Sequence, residues 1–138
     1  MVASAVETAQ PQIDQAGHEL SLTLPAIPIY LDADLTRLAQ VFSNLLTNSA
    51  KYTRPGGRIW LSADRTGAQV KVSVWDNGIG IPAASLMNIF DMFSQVDRTI
   101  ERSTGGLGIG LALVKGLVEM HGGSVTASSE GEGKGSTF

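Results

Sequence analysis

Cysteine is missing from this 138-residue chain, which excludes disulfides, thiolate metal sites and cysteine nucleophiles. Basic runs are missing too: 10 Lys and Arg against 13 Asp and Glu give a net charge of −3. That balance argues against nucleic acid or an anionic membrane surface as the main partner. No apolar run approaches the length of a membrane span, and no basic segment followed by an apolar one opens the chain. The sequence therefore predicts a soluble, cytoplasmic domain without direct membrane insertion. Hydrophobic residues at 43% can build a core, and 17% charge suits a globular surface. One domain, 1–138, is the natural count for this length. Glycine is the residue in excess, with 16 copies, many between Gly105 and Gly110 and between Gly122 and Gly135. The last residues, Gly135-Ser136-Thr137-Phe138, read as part of a strand, so the expectation is a piece of a larger protein.

Helical composition covers 2–16, interrupted by Pro11. His18–Leu24 alternates around Leu20, Leu22 and Leu24 and predicts a strand. Asp34 is a plausible N-cap. From it Leu35, Leu38, Phe42, Leu45 and Leu46 recur at helical spacing as far as about Tyr52, and Pro55-Gly56-Gly57 ends the run. Arg58–Ala63 and Gln69–Trp75 predict a hairpin across Arg65-Thr66-Gly67. A short helix is expected over Ala83–Phe90 and a loop of little periodicity over Asp91–Gly106. Gly108–His121 predicts a helix stopped by Gly122-Gly123. Ser124–Ser128 and Gly135–Phe138 predict the last strands. This mixed order predicts an α+β two-layer sandwich.

Asp76 is the residue out of place. Val70, Val72 and Val74 point one way along their strand, and the same alternation puts Asp76 on the apolar face. Burying an unpaired polar group costs about 2–7 kcal/mol, and a charge costs more. Asn77-Gly78-Ile79-Gly80 follows, with glycines that permit positive φ and close approach of a ligand. Two readings stand: a carboxylate held for a ligand's donor, or a strand ending in an ordinary Asp-Asn-Gly turn.

Asn44, Asn48 and Lys51 lie four and then three residues apart, on one helix face with Tyr52 at its edge. Asparagine is a poor helix former, because its side chain competes for backbone hydrogen bonds. Amide oxygens suit Mg²⁺ and a lysine beside them suits phosphate. A solvated face is the other reading. The run Gly105-Gly106-Leu107-Gly108-Ile109-Gly110 opens a helix, where free N–H groups and the helix dipole favour phosphate. A flexible linker would have the same composition. It is not a dinucleotide fingerprint, since no βαβ unit surrounds it, and no Gly-Lys-Ser/Thr follows to make a P-loop.

Taken in order, these segments resemble the GHKL ATPase superfamily, and specifically the ATP-binding catalytic domain of sensor histidine kinases. Asp34–Thr53, with Asn44, Asn48, Lys51 and Tyr52, is similar to the family's N box. Asp76-Asn-Gly-Ile-Gly80-Ile-Pro82 resembles its first glycine box. Phe90-Asp-Met-Phe93 resembles the F box, Gly106-Leu-Gly-Ile-Gly110-Leu the second glycine box, and Gly131–Phe138 the closing segment.

The resemblance implies a Bergerat-type fold: a mixed, mostly antiparallel sheet on three helices, with a mobile ATP lid at about 91–106. It implies ATP and Mg²⁺ as cofactors. Asp76 would accept from the adenine amino group, with Gly78, Gly80 and Ile81 around it. Asn48 would ligate Mg²⁺. Asn44 and Lys51 would face the phosphates as the catalytic pair, and Tyr52 would pack near the nucleotide. Gly106, Leu107, Gly108, Ile109, Gly110 and Leu111 would wrap the phosphates, with Phe90 and Phe93 at the base of the lid. Gln95 stands where many members carry an arginine aimed at the γ-phosphate; Arg98 or Arg102 could substitute.

Superfamily hydrolases are known for a glutamate one helical turn before the metal asparagine. Here that position is Asn44, whose amide takes no proton near neutral pH. The resemblance therefore implies transfer of the γ-phosphoryl group rather than efficient hydrolysis. The expected acceptor is a histidine on a separate dimerisation hairpin, with a response-regulator receiver domain downstream, and the isolated domain is expected to be a monomer. His18 opens a strand without the acceptor motif's Arg-Thr-Pro, and His121 suits a helix's negative end. Neither is expected to be the acceptor. A GHKL serine kinase of the anti-sigma type and a degenerate docking module are the rival readings.

Overall fold

The computed structural model describes residues 1–91 and 110–138. The first helix, α1 (Val2–Gln15), buries Ala5, Ala9 and Ile13, one residue per turn. It runs through Pro11 without the expected break. Pro11 and Glu7 are both exposed, so the carbonyl left without an N–H partner lies on the wet side. Strand β1 (Glu19–Thr23) follows a turn at Gly17, whose φ is 67°.

Helix α2 (Leu35–Tyr52) is the centre of the molecule. The Asp34 carboxylate caps it by accepting from Arg37 N–H at 3.0 Å. Its apolar stripe comprises Leu38, Val41, Phe42, Leu45, Leu46 and Ala50, with Ser43 and Ser49 among them. Leu35 was expected in that stripe but is 60% exposed. It sits in the first turn and lines a groove with Met1 and Ser4 between α1 and α2.

Strands β2 (Arg58–Thr66) and β3 (Gln69–Asp76) form the expected hairpin, longer at its tip than the alternation suggested. They pair up to Thr66 and Gln69, so the connection is only Gly67-Ala68. Gly67 at φ 62° allows so tight a turn. Helix α3 is Ala83–Leu86 rather than a helix reaching Phe90. Beyond it the backbone closes three-residue turns, Asn88 N–H to Ser85 and Asp91 N–H to Asn88, which do not extend an α-helix. The last helix, α4 (Gly110–Met120), packs Val114 and Leu117 into the core.

The C-terminal strands are shorter than expected. Only β4 (Ser136–Thr137) is a strand; the predicted strand at Ser124–Ser128 is reduced to one bridge between Ser128 and Thr137. The positive φ values at Gly131, Gly133 and Gly135 bend the intervening chain away from a ladder.

The described sheet has the order β1-β2-β3-β4, with β1 parallel to β2 and the other pairs antiparallel. This is the mixed, mostly antiparallel sheet that was expected. Ile59, Leu61 and Val74 face the helices, whereas Trp60 and Trp75 stand opposite each other on the outer face. The core joins them to α1, α2 and α4 through Ile13, Leu46 and Val114. Alternation along β3 thus delivers Asp76 to the inner face, beneath the C-terminal half of α2.

Candidate functional site

Asp76 is 2% exposed, so the inward position expected from its strand is real. Its charge is not left unpaired. Oδ1 accepts from Gly78 N–H at 2.9 Å. Oδ2 accepts from the Ser136 hydroxyl at 2.7 Å and the Ser49 hydroxyl at 3.2 Å. Three donors offset the desolvation that burial imposes. A carboxylate offers about four lone-pair positions, so the three donors among the described residues leave it capacity for one more. Three elements build this cluster: α2 supplies Ser49, β3 the carboxylate, β4 Ser136.

The loop after Asp76 is held from both sides. Asn77 pairs with Arg58 through its backbone N–H to the carbonyl, at 3.2 Å, and through its side-chain oxygen, which accepts from Arg58 N–H at 2.8 Å. Ile79 N–H donates to the Tyr52 carbonyl at 3.0 Å. The 131–135 turn closes the other side, with Gly133 N–H to Ile79 at 2.7 Å and Gly135 N–H to Gly78 at 3.1 Å.

These contacts give the glycines of the loop a structural reason. A Cβ on Gly78 would meet the Tyr52 carbonyl, and one on Gly80 would meet the Gly131 carbonyl. Gly80 also has φ 74°. Close approach is required here as the sequence implied, but protein carbonyls make it. Ile81 is buried next to them. Thr53 lies against Gly78, and its buried hydroxyl has no hydrogen-bond partner among the described residues.

Asn44, Asn48, Lys51 and Tyr52 all lie on α2 and are half-buried. The two side-chain amides make no hydrogen bond among the described residues, so their oxygens can serve a ligand. The Lys51 ammonium lies 5.1 Å from the centre of the Tyr52 ring. Among the described residues no cluster of three His, Asp or Glu could cage a metal. That donor set fits Mg²⁺ only as a partner of phosphate, held by one amide and water. Gly110 opens α4 and Leu111 packs against the core. Phe90 meets Phe138 edge-on at 6.1 Å. Phe93, Gly106, Leu107, Gly108 and Ile109, with Gln95, Arg98, Arg102 and all but the first residue of the expected lid, lie outside the described residues.

Both histidines have structural posts. His18 is buried; its Nδ1 accepts from Gly57 N–H at 3.2 Å, and its Nε2 donates to the Ala50 carbonyl at 2.8 Å. His121 Nδ1 donates to the Leu117 carbonyl at 2.7 Å, and Nε2 accepts from Asp34 N–H at 3.1 Å. His121 therefore caps the last turn of α4 by a hydrogen bond rather than by charge, and joins α4 to the N-cap of α2.

Residues 33–138 match the family described as histidine kinase-, DNA gyrase B- and HSP90-like ATPase. The chain belongs to that family. Curated relatives that it resembles include sensor histidine kinases. The circadian input-output histidine kinase CikA of Synechococcus elongatus is 46% identical over 106 residues, which are 77% of this chain and 14% of that protein. The chain thus spans about a seventh of that relative's length. The mycobacterial sensor histidine kinase MprB superposes with a TM-score of 0.83 at 25% identity, over 99% of this chain and 91% of that one. Full-length ShkA, solved with AMPPNP, gives 0.80 at 30% identity over 99% of this chain and 28% of its own. The domain is a histidine kinase ATPase domain by family, and its architecture is the one those kinases share.

Asp76 was legible from strand alternation. Ser49, Ser136 and Ser129 were not singled out, although all three hydroxyls bond within the site. Ser49 follows Asn48 on the face toward the sheet, and its burial amid an apolar stripe was the available signal.

Proposed function

We propose that this ATPase-family domain binds Mg·ATP and donates the γ-phosphoryl group to a histidine on a separate helical hairpin. The observation that carries the reading is the Asp76 carboxylate: buried, fixed by three donors, and left with one acceptor position. An exocyclic amino group is the complementary donor, which selects adenine over a 6-oxo purine. Asn48 and Asn44 would face the phosphates from α2, and Lys51 would supply positive charge beside them. Bound Mg²⁺ would neutralise phosphate charge and be held by the Asn48 amide.

Transfer of this kind depends on positioning and charge neutralisation more than on covalent help from the protein. The acceptor imidazole nitrogen would form the new bond to the γ-phosphorus as the bond to the ADP oxygen breaks. ADP leaves with that electron pair, and the imidazole proton passes to solvent. Asn44 cannot take a proton from water, which favours this acceptor over hydrolysis. A response regulator would receive the group next. The domain would act as one part of a larger kinase, and alone as a monomer. Serine as the acceptor is the rival that acceptor-swap experiments would separate.

Titration with a fluorescent ATP analogue, with and without Mg²⁺, tests the site. Removing a hydrogen bond to a charged group costs about 1.5–3 kcal/mol, or about 10- to 150-fold in affinity. Asp76→Asn is expected to lose at least that much, and Asn48→Ala to lose most of the Mg²⁺ dependence. Equal affinity of the Asp76→Asn variant and the parent would refute the assignment.

A further inference from the structure

Ser129 is not among the residues that the family boxes single out, yet its hydroxyl sits where two loops of the site meet. It accepts from Ile81 N–H at 3.0 Å, in the loop that follows Asp76. It donates to the Gly135 carbonyl at 2.6 Å. It also accepts from Gly131 N–H at 3.3 Å, across its own turn. One side chain therefore ties the 77–81 loop to the 131–135 turn. Ser136 follows Gly135 directly, and its hydroxyl is the shortest contact to the Asp76 carboxylate, at 2.7 Å.

The register of Ser129 is fixed from behind. Ser128 and Thr137 exchange both backbone hydrogen bonds, each at 2.8 Å. Ser129 thus leaves a paired residue, and its hydroxyl defines how the next six residues fold back to β4. Gly80, at φ 74°, has no room for a side chain, since a Cβ there would meet the Gly131 carbonyl and the Ser129 hydroxyl. A loss of the hydroxyl would free Ile81 N–H and the Gly135 carbonyl together and leave the two loops joined only by the Gly133–Ile79 and Gly135–Gly78 backbone bonds.

We propose that Ser129 is a positioning residue for adenine: it holds Ser136 and the 77–81 loop so that the Asp76 carboxylate keeps one acceptor position aimed at an amino group. This inference rests on the reading of Asp76 as the adenine acceptor. Recognition by a single open lone pair is sensitive to small displacements, so a loosened Ser136 would let the carboxylate turn. Ser129 touches no nucleotide atom in this scheme. Its effect falls on the choice of base and not on the phosphates, which α2 would serve.

The test is titration of the domain with ATP and with ITP, which carries oxygen in place of the adenine amino group. Ser129→Ala is expected to weaken ATP about five- to tenfold, the scale of one or two neutral hydrogen bonds. ITP should weaken far less, so the preference for ATP falls, while the Mg²⁺ dependence stays as in the parent. Ser129→Thr keeps the hydroxyl and should restore the preference. A merely structural role would loosen ATP and ITP equally, and that result would overturn the proposal, as would parental ATP affinity in Ser129→Ala. If the alanine variant does not fold, Ser129→Cys carries the same comparison with a weaker hydrogen-bonding group. A parent that binds ATP and ITP alike would instead refute the reading of Asp76.

Discussion

A buried carboxylate and a buried hydroxyl, two residues of one site, behave in opposite ways. Asp76 has three donors and is stable where it stands. Thr53 is 6% exposed, lies against Gly78, and its hydroxyl has no partner among the described residues. An unsatisfied buried polar group costs about 1–3 kcal/mol, whereas an apolar group of the same shape costs nothing comparable. Thr53→Val is therefore expected to raise the unfolding free energy of the nucleotide-free domain by about 1 kcal/mol. Urea denaturation checks this, and a loss of stability would mean that the hydroxyl is bonded in solution.

Glycine separates into two kinds at the level of elements. Gly80 lies in a loop pressed between β2 and the C-terminal turn, at φ 74° and against the Gly131 carbonyl. Left-handed backbone costs an L-residue about 1–2 kcal/mol before any clash is counted. Gly80→Ala should therefore destabilise by more than about 2 kcal/mol and disturb nucleotide binding with it. Gly116 lies in α4, exposed, with nothing within 4 Å of an added Cβ. Gly116→Ala should stabilise by about 0.5–1 kcal/mol through helix propensity. Thermal unfolding of the two variants side by side reads both signs. Equal effects would mean that the 77–81 loop is not clamped as described.

At the scale of the whole molecule, the hydrogen bonds of both histidines argue against either of them as a phosphoryl acceptor. His18 has both ring nitrogens bonded to backbone and is 8% exposed, so it cannot attack phosphorus without leaving the core. His121 is likewise committed at both nitrogens. Incubation with Mg·ATP should leave no acid-labile phosphate on this chain, and steady turnover should stay below about 1 s⁻¹, a slow rate for a dedicated enzyme. Adding an acceptor hairpin in trans should give phosphohistidine on the hairpin, slowly, because no tether raises its effective concentration. Phosphate on His18 or His121 would overturn the assignment of the acceptor.

Local pattern determined much of this protein. The alternation of β3 placed Asp76 inward, the spacing of Asn44, Asn48 and Lys51 put them on one helix face, and Asp34 marked the start of α2. Each depends on a period or a cap within a few residues of sequence. Four ordered motifs then pointed to the family that residues 33–138 match. What pattern could not supply was every contact between distant segments. Ser136 reaches Asp76 across 60 residues and His121 reaches Asp34 across 87. Pro11 reads as a break, yet it stands on the exposed side of a helix whose Ala5, Ala9 and Ile13 are held by the core. Ser124–Ser128 alternates like a strand, but the glycine turns after it leave only one bridge. Tertiary packing decided these, because burial and backbone partners exist only once the layers meet. It also decided that the first glycine box is packed against protein carbonyls.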